Sequence, residues 1–138
     1  MRTKKKPLKS QNGFTLIEIM ITMAVMATAL LAALTANAMI SQTSEGVYQR
    51  LVAVQDANQV IERMRNTAAT GTFPGNVTAV YPNGGNVAGF TSLTNETVTV
   101  TYVSAITNPL DVTVTVNYLE NGRRAANTAL RSLVTQRI

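Results

Sequence analysis

Hydrophobic and polar positions change their pattern four times along this chain. After a lysine-rich start, residues 14–40 read FTLIEIMITMAVMATALLAALTANAMI, in which Glu18 is the only charge and the 22 positions 19–40 carry none. About 20 such residues let a helix cross a bilayer. Met, Ala and Leu dominate and neither Gly nor Pro occurs between Phe14 and Glu45, so an unbroken helix is predicted. From Val47 onward apolar residues recur three or four apart, at Leu51, Val54, Ala57, Ile61, Met64 and Ala68, which is one stripe of an amphipathic helix. Arg50, Asp56, Glu62, Arg63 and Arg65 fall off that stripe and are expected to face water. Gly46 is a weak point, costing about 1 kcal/mol relative to Ala and favouring a slight bend. Gly71 and Pro74 end the run, giving a helix over residues 14–70 of about 85 Å at 1.5 Å per residue.

Residues 71–95 hold five of the eight glycines and two of the four prolines, and read as loop with one short strand near residues 77–81. Two alternating stretches follow. ETVTVTYV (96–103) sets Val98, Val100 and Tyr102 on one face, and DVTVTVNY (111–118) does the same with Val112, Val114, Val116 and Tyr118. Period two with β-branched residues predicts half-buried strands, with Asn108-Pro109 as the turn between them. Asn121-Gly122 predicts a two-residue hairpin into a last strand over residues 124–135. The fold class is therefore α+β: one long N-terminal helix, membrane-spanning in its first half and amphipathic in its second, packed on a small antiparallel sheet of three or four strands. The stripe equally suits a coiled-coil or target-binding face, but covering a small sheet is its commoner use.

Composition narrows the chemistry. With no His, Cys or Trp, the chain lacks the residues for disulfides, thiolate or imidazole metal sites, Ser–His or Cys nucleophilic machinery, and acylation through Cys. The acids are isolated and show no calcium-loop spacing, so no catalytic residue, cofactor or metal is expected. The formal charge is +5 and the pI about 10.0. That excess resides entirely in Arg2, Lys4, Lys5, Lys6 and Lys9, because the seven arginines of residues 14–138 meet seven acids. A nucleic-acid surface would spread its charge over the folded part, so nucleic acid is not an expected partner. The five cations ahead of the apolar run instead orient the chain with its N-terminus in the cytoplasm.

Three fates suit such a start. Ala36-Asn37-Ala38 would serve as a secretory cleavage site, but the apolar run is longer than the usual 7–15 residues and contains a carboxylate. An uncleaved anchor is the second. The third depends on the junction, Ser10-Gln11-Asn12-Gly13 followed by Phe14-Thr15-Leu16-Ile17-Glu18-Ile19-Met20. The string GFTLIEIM resembles the prepilin cleavage motif of type IV pilins and type II secretion pseudopilins. The resemblance implies that a prepilin peptidase cuts after Gly13 and methylates the new amine of Phe14. Gly13 suits this because an extended chain without a side chain enters a narrow protease site easily. Glu18 has two readings. Near a helix N-terminus the macrodipole favours an acid, and the residue then only marks the boundary. The family reading pairs its carboxylate with the Phe14 ammonium of a neighbouring subunit during assembly.

The resemblance divides the chain into a cleaved basic leader (1–13), a transmembrane and filament-core helix (14–40), its amphipathic continuation (41–70) and a globular head (71–138). It implies a structural subunit with no enzymatic activity, whose partners are prepilin peptidase, other pilin or pseudopilin subunits met through the N-terminal helix, and an inner-membrane assembly platform. The protein would sit in the bacterial inner membrane with its N-terminus inside, and later in a periplasmic or extracellular pilus. The absence of Cys departs from many major pilins, as does the absence of Gly and Pro from the membrane half. The strand–Asn-Gly–strand ending with Arg123 and Arg124 looks like the tail of PilV-type minor pilins. A minor pseudopilin of type II secretion and a single-pass membrane-anchored binding module are the alternatives.

Overall fold

A computed structural model describes residues 14–136. Arg2, Lys4, Lys5, Lys6, Lys9 and Gly13 lie outside these residues. The chain divides into two compact units, one ending at Ile40 and one beginning at Ser41. A single 53-residue helix, α1 (Leu16–Ala68), contributes to both. Every residue from 14 to 45 is exposed, and α1 is long and apolar enough to cross a membrane. The hydroxyls of Thr22, Thr28 and Thr35 donate to the carbonyls of Ile19, Val25 and Ala32 at 2.8–2.9 Å. These three hydroxyls thus bond their own helix, as hydrocarbon surroundings require.

In the second unit, the later part of α1 packs on a four-stranded antiparallel sheet with strands in chain order: β1 (Gly85–Val87), β2 (Thr97–Tyr102), β3 (Leu110–Glu120) and β4 (Arg124–Val134). This is the expected α+β, pilin-like arrangement. Val98 pairs with Val116 and Val100 with Val114 across β2 and β3, so the valines of both strands share the helix-facing side. Together with Ala53, Ala57, Val60, Ile61, Met64 and Ala68 of α1 they form one core. Tyr102, at the end of β2, donates its hydroxyl to the carbonyl of Tyr81 at 2.8 Å; burial, with a smaller effect of Tyr81, pushes its pKa up to about 12. On the outer face Arg131 of β4 chelates Asp111 of β3 through two guanidinium nitrogens, which holds the Asp111 carboxyl below its ordinary range.

Four expectations are corrected. The helical stripe is rotated: Val47 and Leu51 are 64% and 55% exposed, whereas Asp56, expected in water, is buried. At about 100° per residue, Val47 and Leu51 lie roughly 100° and 140° round the helix from Met64, outside the arc the sheet covers. Residues 77–81 are not a strand; a one-turn helix, α2 (Gly75–Val80), buries Val77 instead. A strand there would need an edge to pair with, and β1 occupies the edge of β2. The Asn121-Gly122 turn forms with both φ angles positive, at 52° and 67°. Its loop, however, has a third residue: the Arg123 N–H bonds the Glu120 carbonyl at 3.1 Å, while Glu120 pairs with Arg124. Arg123 therefore bulges outward. Finally, α1 passes unbroken through Gly46, whose missing side chain admits the Glu120 carboxyl; a Cβ there would lie 2.5 Å from Glu120 Oε1.

Met64 is fully buried between α1 and the sheet. Met64→Ala is expected to destabilise the head by about 2–5 kcal/mol. Denaturant unfolding of the detergent-solubilised chain, followed by tyrosine fluorescence, measures this; a loss below about 1 kcal/mol would place Met64 outside the core.

Candidate processing and assembly site

Phe14 precedes the helix and is 80% exposed. Thr15 is the residue from which α1 starts. The Glu18 N–H donates to the Thr15 carbonyl at 3.0 Å and approaches its hydroxyl oxygen at 3.4 Å. In return, the Thr15 N–H and hydroxyl donate to Glu18 Oε2 at 3.4 and 3.5 Å. This Thr15-Leu16-Ile17-Glu18 arrangement is a reciprocal capping box, which satisfies backbone donors that a helix N-terminus leaves open. Thr15 escaped notice as a site residue in the sequence, although its spacing to Glu18 is the signature of such a cap. The cap fixes the Glu18 carboxyl beside the first turn, four residues from Phe14. The structure thus brings Phe14 and Glu18 to one end of α1, while Gly13 and the five N-terminal cations fall outside the described residues.

Over residues 19–34 the helix presents only apolar and small side chains to its surroundings. Leu16, Ile17, Met20, Met23, Val25, Met26, Leu30, Leu31 and Leu34 are each about 60–80% exposed. So much bare apolar surface on a soluble molecule would drive association at once; it calls for lipid or for neighbouring helices.

The head has open clefts. One, of about 690 Å³, lies beside the hairpin tip and includes Arg50, Arg123 and Arg124 with Glu45 and Glu120. Opposite charges line it together, so it has no strong preference for an anion. Among the described residues no three His, Cys, Asp or Glu side chains gather closely enough to hold a metal ion. One charged pair stands out. Asp56 on α1 and Glu96 just before β2 come within hydrogen-bonding reach, and Asp56 Oδ2 and Glu96 Oε1 are both buried without a partner. Burial foremost, and then Asp56, raise the Glu96 carboxyl above its ordinary range, against the lowering effect of the Leu93 and Ser92 backbone N–H groups.

Residues 8–34 match a family described as the prokaryotic N-terminal methylation motif. The match brackets the basic arm's end, Gly13, Phe14, Glu18 and most of the apolar stretch 14–40. It supports a type IV pilin-like protein, a pilin or pseudopilin subunit that is processed by prepilin peptidase and assembles with other pilins. The motif and the long apolar helix fit a membrane-anchored subunit with a structural role. No curated protein and no solved structure matches the chain.

Proposed function

We propose that this protein is a minor pilin of a type IV pilus, cut by prepilin peptidase after Gly13, methylated on Phe14 and assembled through its apolar helix. The observation that carries this reading is the methylation motif at residues 8–34 joined to a helix whose apolar residues are bare. Arg2, Lys4, Lys5, Lys6 and Lys9 hold the leader in the cytoplasm, where the peptidase and the inner-membrane assembly platform act on the junction. Methylation leaves the Phe14 amine basic, so it remains a cation able to meet the Glu18 carboxylate of a neighbouring subunit. Burying either charge alone is costly, and the pair therefore selects a correctly placed neighbour. The cysteine-free head and the hairpin ending with Arg123 and Arg124 favour a minor subunit over the main filament subunit. Pseudopilins of type II secretion carry the same motif; neighbouring genes for retraction motors or for secretin-linked exoproteins distinguish the two settings.

The N-terminus and mass of the protein isolated from cells test the processing. Methylated Phe14 as first residue is the expected result. A chain beginning at Met1, or at Met39 after a secretory cut behind Ala38, would sink the pilin reading.

A further inference from the structure

The Asp56–Glu96 pair plays no part in processing or in helix assembly, and it contradicts the usual logic of a protein interior. An acid on the buried face of a helix normally meets a cation. Asp56 is 9% exposed and lies between Ala53 and Val60 on the sheet-facing side of α1, yet its neighbour is another carboxyl. Glu96 belongs to the segment over residues 88–96, which crosses the end of the sheet before entering β2. That segment is tied down at several points. Phe90 is buried under the Arg63 guanidinium, 4.9 Å from the ring centroid. Leu93 packs on the core, and the Thr94 carbonyl accepts the Leu119 N–H at 2.9 Å. Glu96 Oε2 accepts the Leu93 N–H at 3.1 Å, which turns its other oxygen, Oε1, inward toward α1.

Two carboxylates placed so closely repel each other strongly in a poorly hydrated site, and a single shared proton turns the repulsion into a hydrogen bond. No other group nearby resolves the conflict. On α1 the charged residues one to two turns away are Arg50, which lines an open cleft with Asn95, Tyr118 and Arg124, Glu62, which pairs with Arg65, and Arg63, which stands over Phe90. β2 turns only Val98, Val100 and Tyr102 inward. β3 contributes Tyr118, whose buried hydroxyl has no partner, and no arginine is among the groups acting on Glu96. Calcium wants six to eight oxygens, far more than two carboxyls supply.

We propose that Asp56 and Glu96 share one proton in the folded head, forming an acid-stabilised latch that fastens the 88–96 segment to α1. The linkage has a definite sign. Because the folded Glu96 holds its proton more tightly than the unfolded residue, the latch stabilises fully at low pH and its contribution disappears as pH rises through the folded value. Asp111 works the other way: its carboxyl is held low by Arg131, so what it contributes is lost only in stronger acid. A fall in stability on the alkaline side of the carboxylate range is therefore the signature of the latch.

Thermal unfolding of the full chain in detergent, from below the ordinary glutamate value of 4.5 up to about pH 8, tests it. The wild-type midpoint is expected to fall as pH rises. Asp56→Asn, which replaces the shared proton with a permanent amide donor, is expected to flatten that slope and to unfold about 4–8 °C higher at the alkaline end. Glu96→Gln retains an acceptor for Leu93 and should flatten the slope equally, giving a second reading if the first variant folds poorly. A wild-type slope that both variants retain would overturn the latch. So would a wild-type midpoint at high pH that millimolar calcium raises while leaving Asp56→Asn unmoved, since the pair would then be holding a cation.

Discussion

Replacing Gly13 by leucine is expected to leave the chain uncut and to abolish its entry into filaments. A protease reads an extended backbone, and a side chain at the residue whose carbonyl is attacked shifts the bond away from the catalytic groups. A displacement of about 1 Å can reduce turnover on the order of a hundredfold. The consequence is large because the cut separates two very different molecules. Residues 1–13 carry the entire +5 charge, and residues 14–138 sum to zero in their side chains. Isoelectric focusing therefore distinguishes the products without ambiguity: the uncut chain focuses near pI 10.0, the processed one far lower. Mass spectrometry of the same sample confirms the retained leader. Normal processing of Gly13→Leu would mean that the cut lies elsewhere, and the assignment of Phe14 as the methylated residue would fall with it.

The second large effect belongs to Glu18. Two roles converge on this carboxylate: it caps its own helix by accepting from Thr15, and by the pilin reading it meets the Phe14 ammonium of another subunit. Glu18→Gln and Glu18→Ala separate them. The glutamine amide oxygen still accepts the Thr15 N–H but carries no charge, whereas alanine removes both. Removing one member of a buried ion pair costs about 3–5 kcal/mol, equivalent to roughly two to four powers of ten in association. Both variants are accordingly expected to be cut and methylated yet to drop out of sheared filaments, scored by the ratio of filament-bound to membrane-bound subunit. If Glu18→Gln assembles normally and only Glu18→Ala fails, the cap is the function and the intersubunit pair is dismissed.

Why the membrane half was legible, and the surface of the later helix less so, follows from how each is specified. The apolar run and the position of the hairpin turn depend on residues within a few positions of one another. Asn121-Gly122 adopts positive φ whatever surrounds it, and Val98, Val100, Val112, Val114 and Val116 alternate because a pleated strand must. Spacing along α1 fails for a different reason. A stripe of apolar residues shows that one side of a helix is covered, but not how far round the cover extends. Val47 and Leu51 lie past the edge of the sheet, and Asp56 lies under it.

By itself, then, the sequence determined the long apolar helix, the methylation motif and the antiparallel meander, since all three rest on local chemistry or on period. The tertiary structure alone decided that Asp56 would meet Glu96 across 40 positions of chain, that Gly46 would admit the Glu120 carboxyl, and that Arg123 would bulge from its turn. These outcomes depend on the rotation of α1 against the sheet and on strand register, and packing sets both only when all the surfaces meet at once.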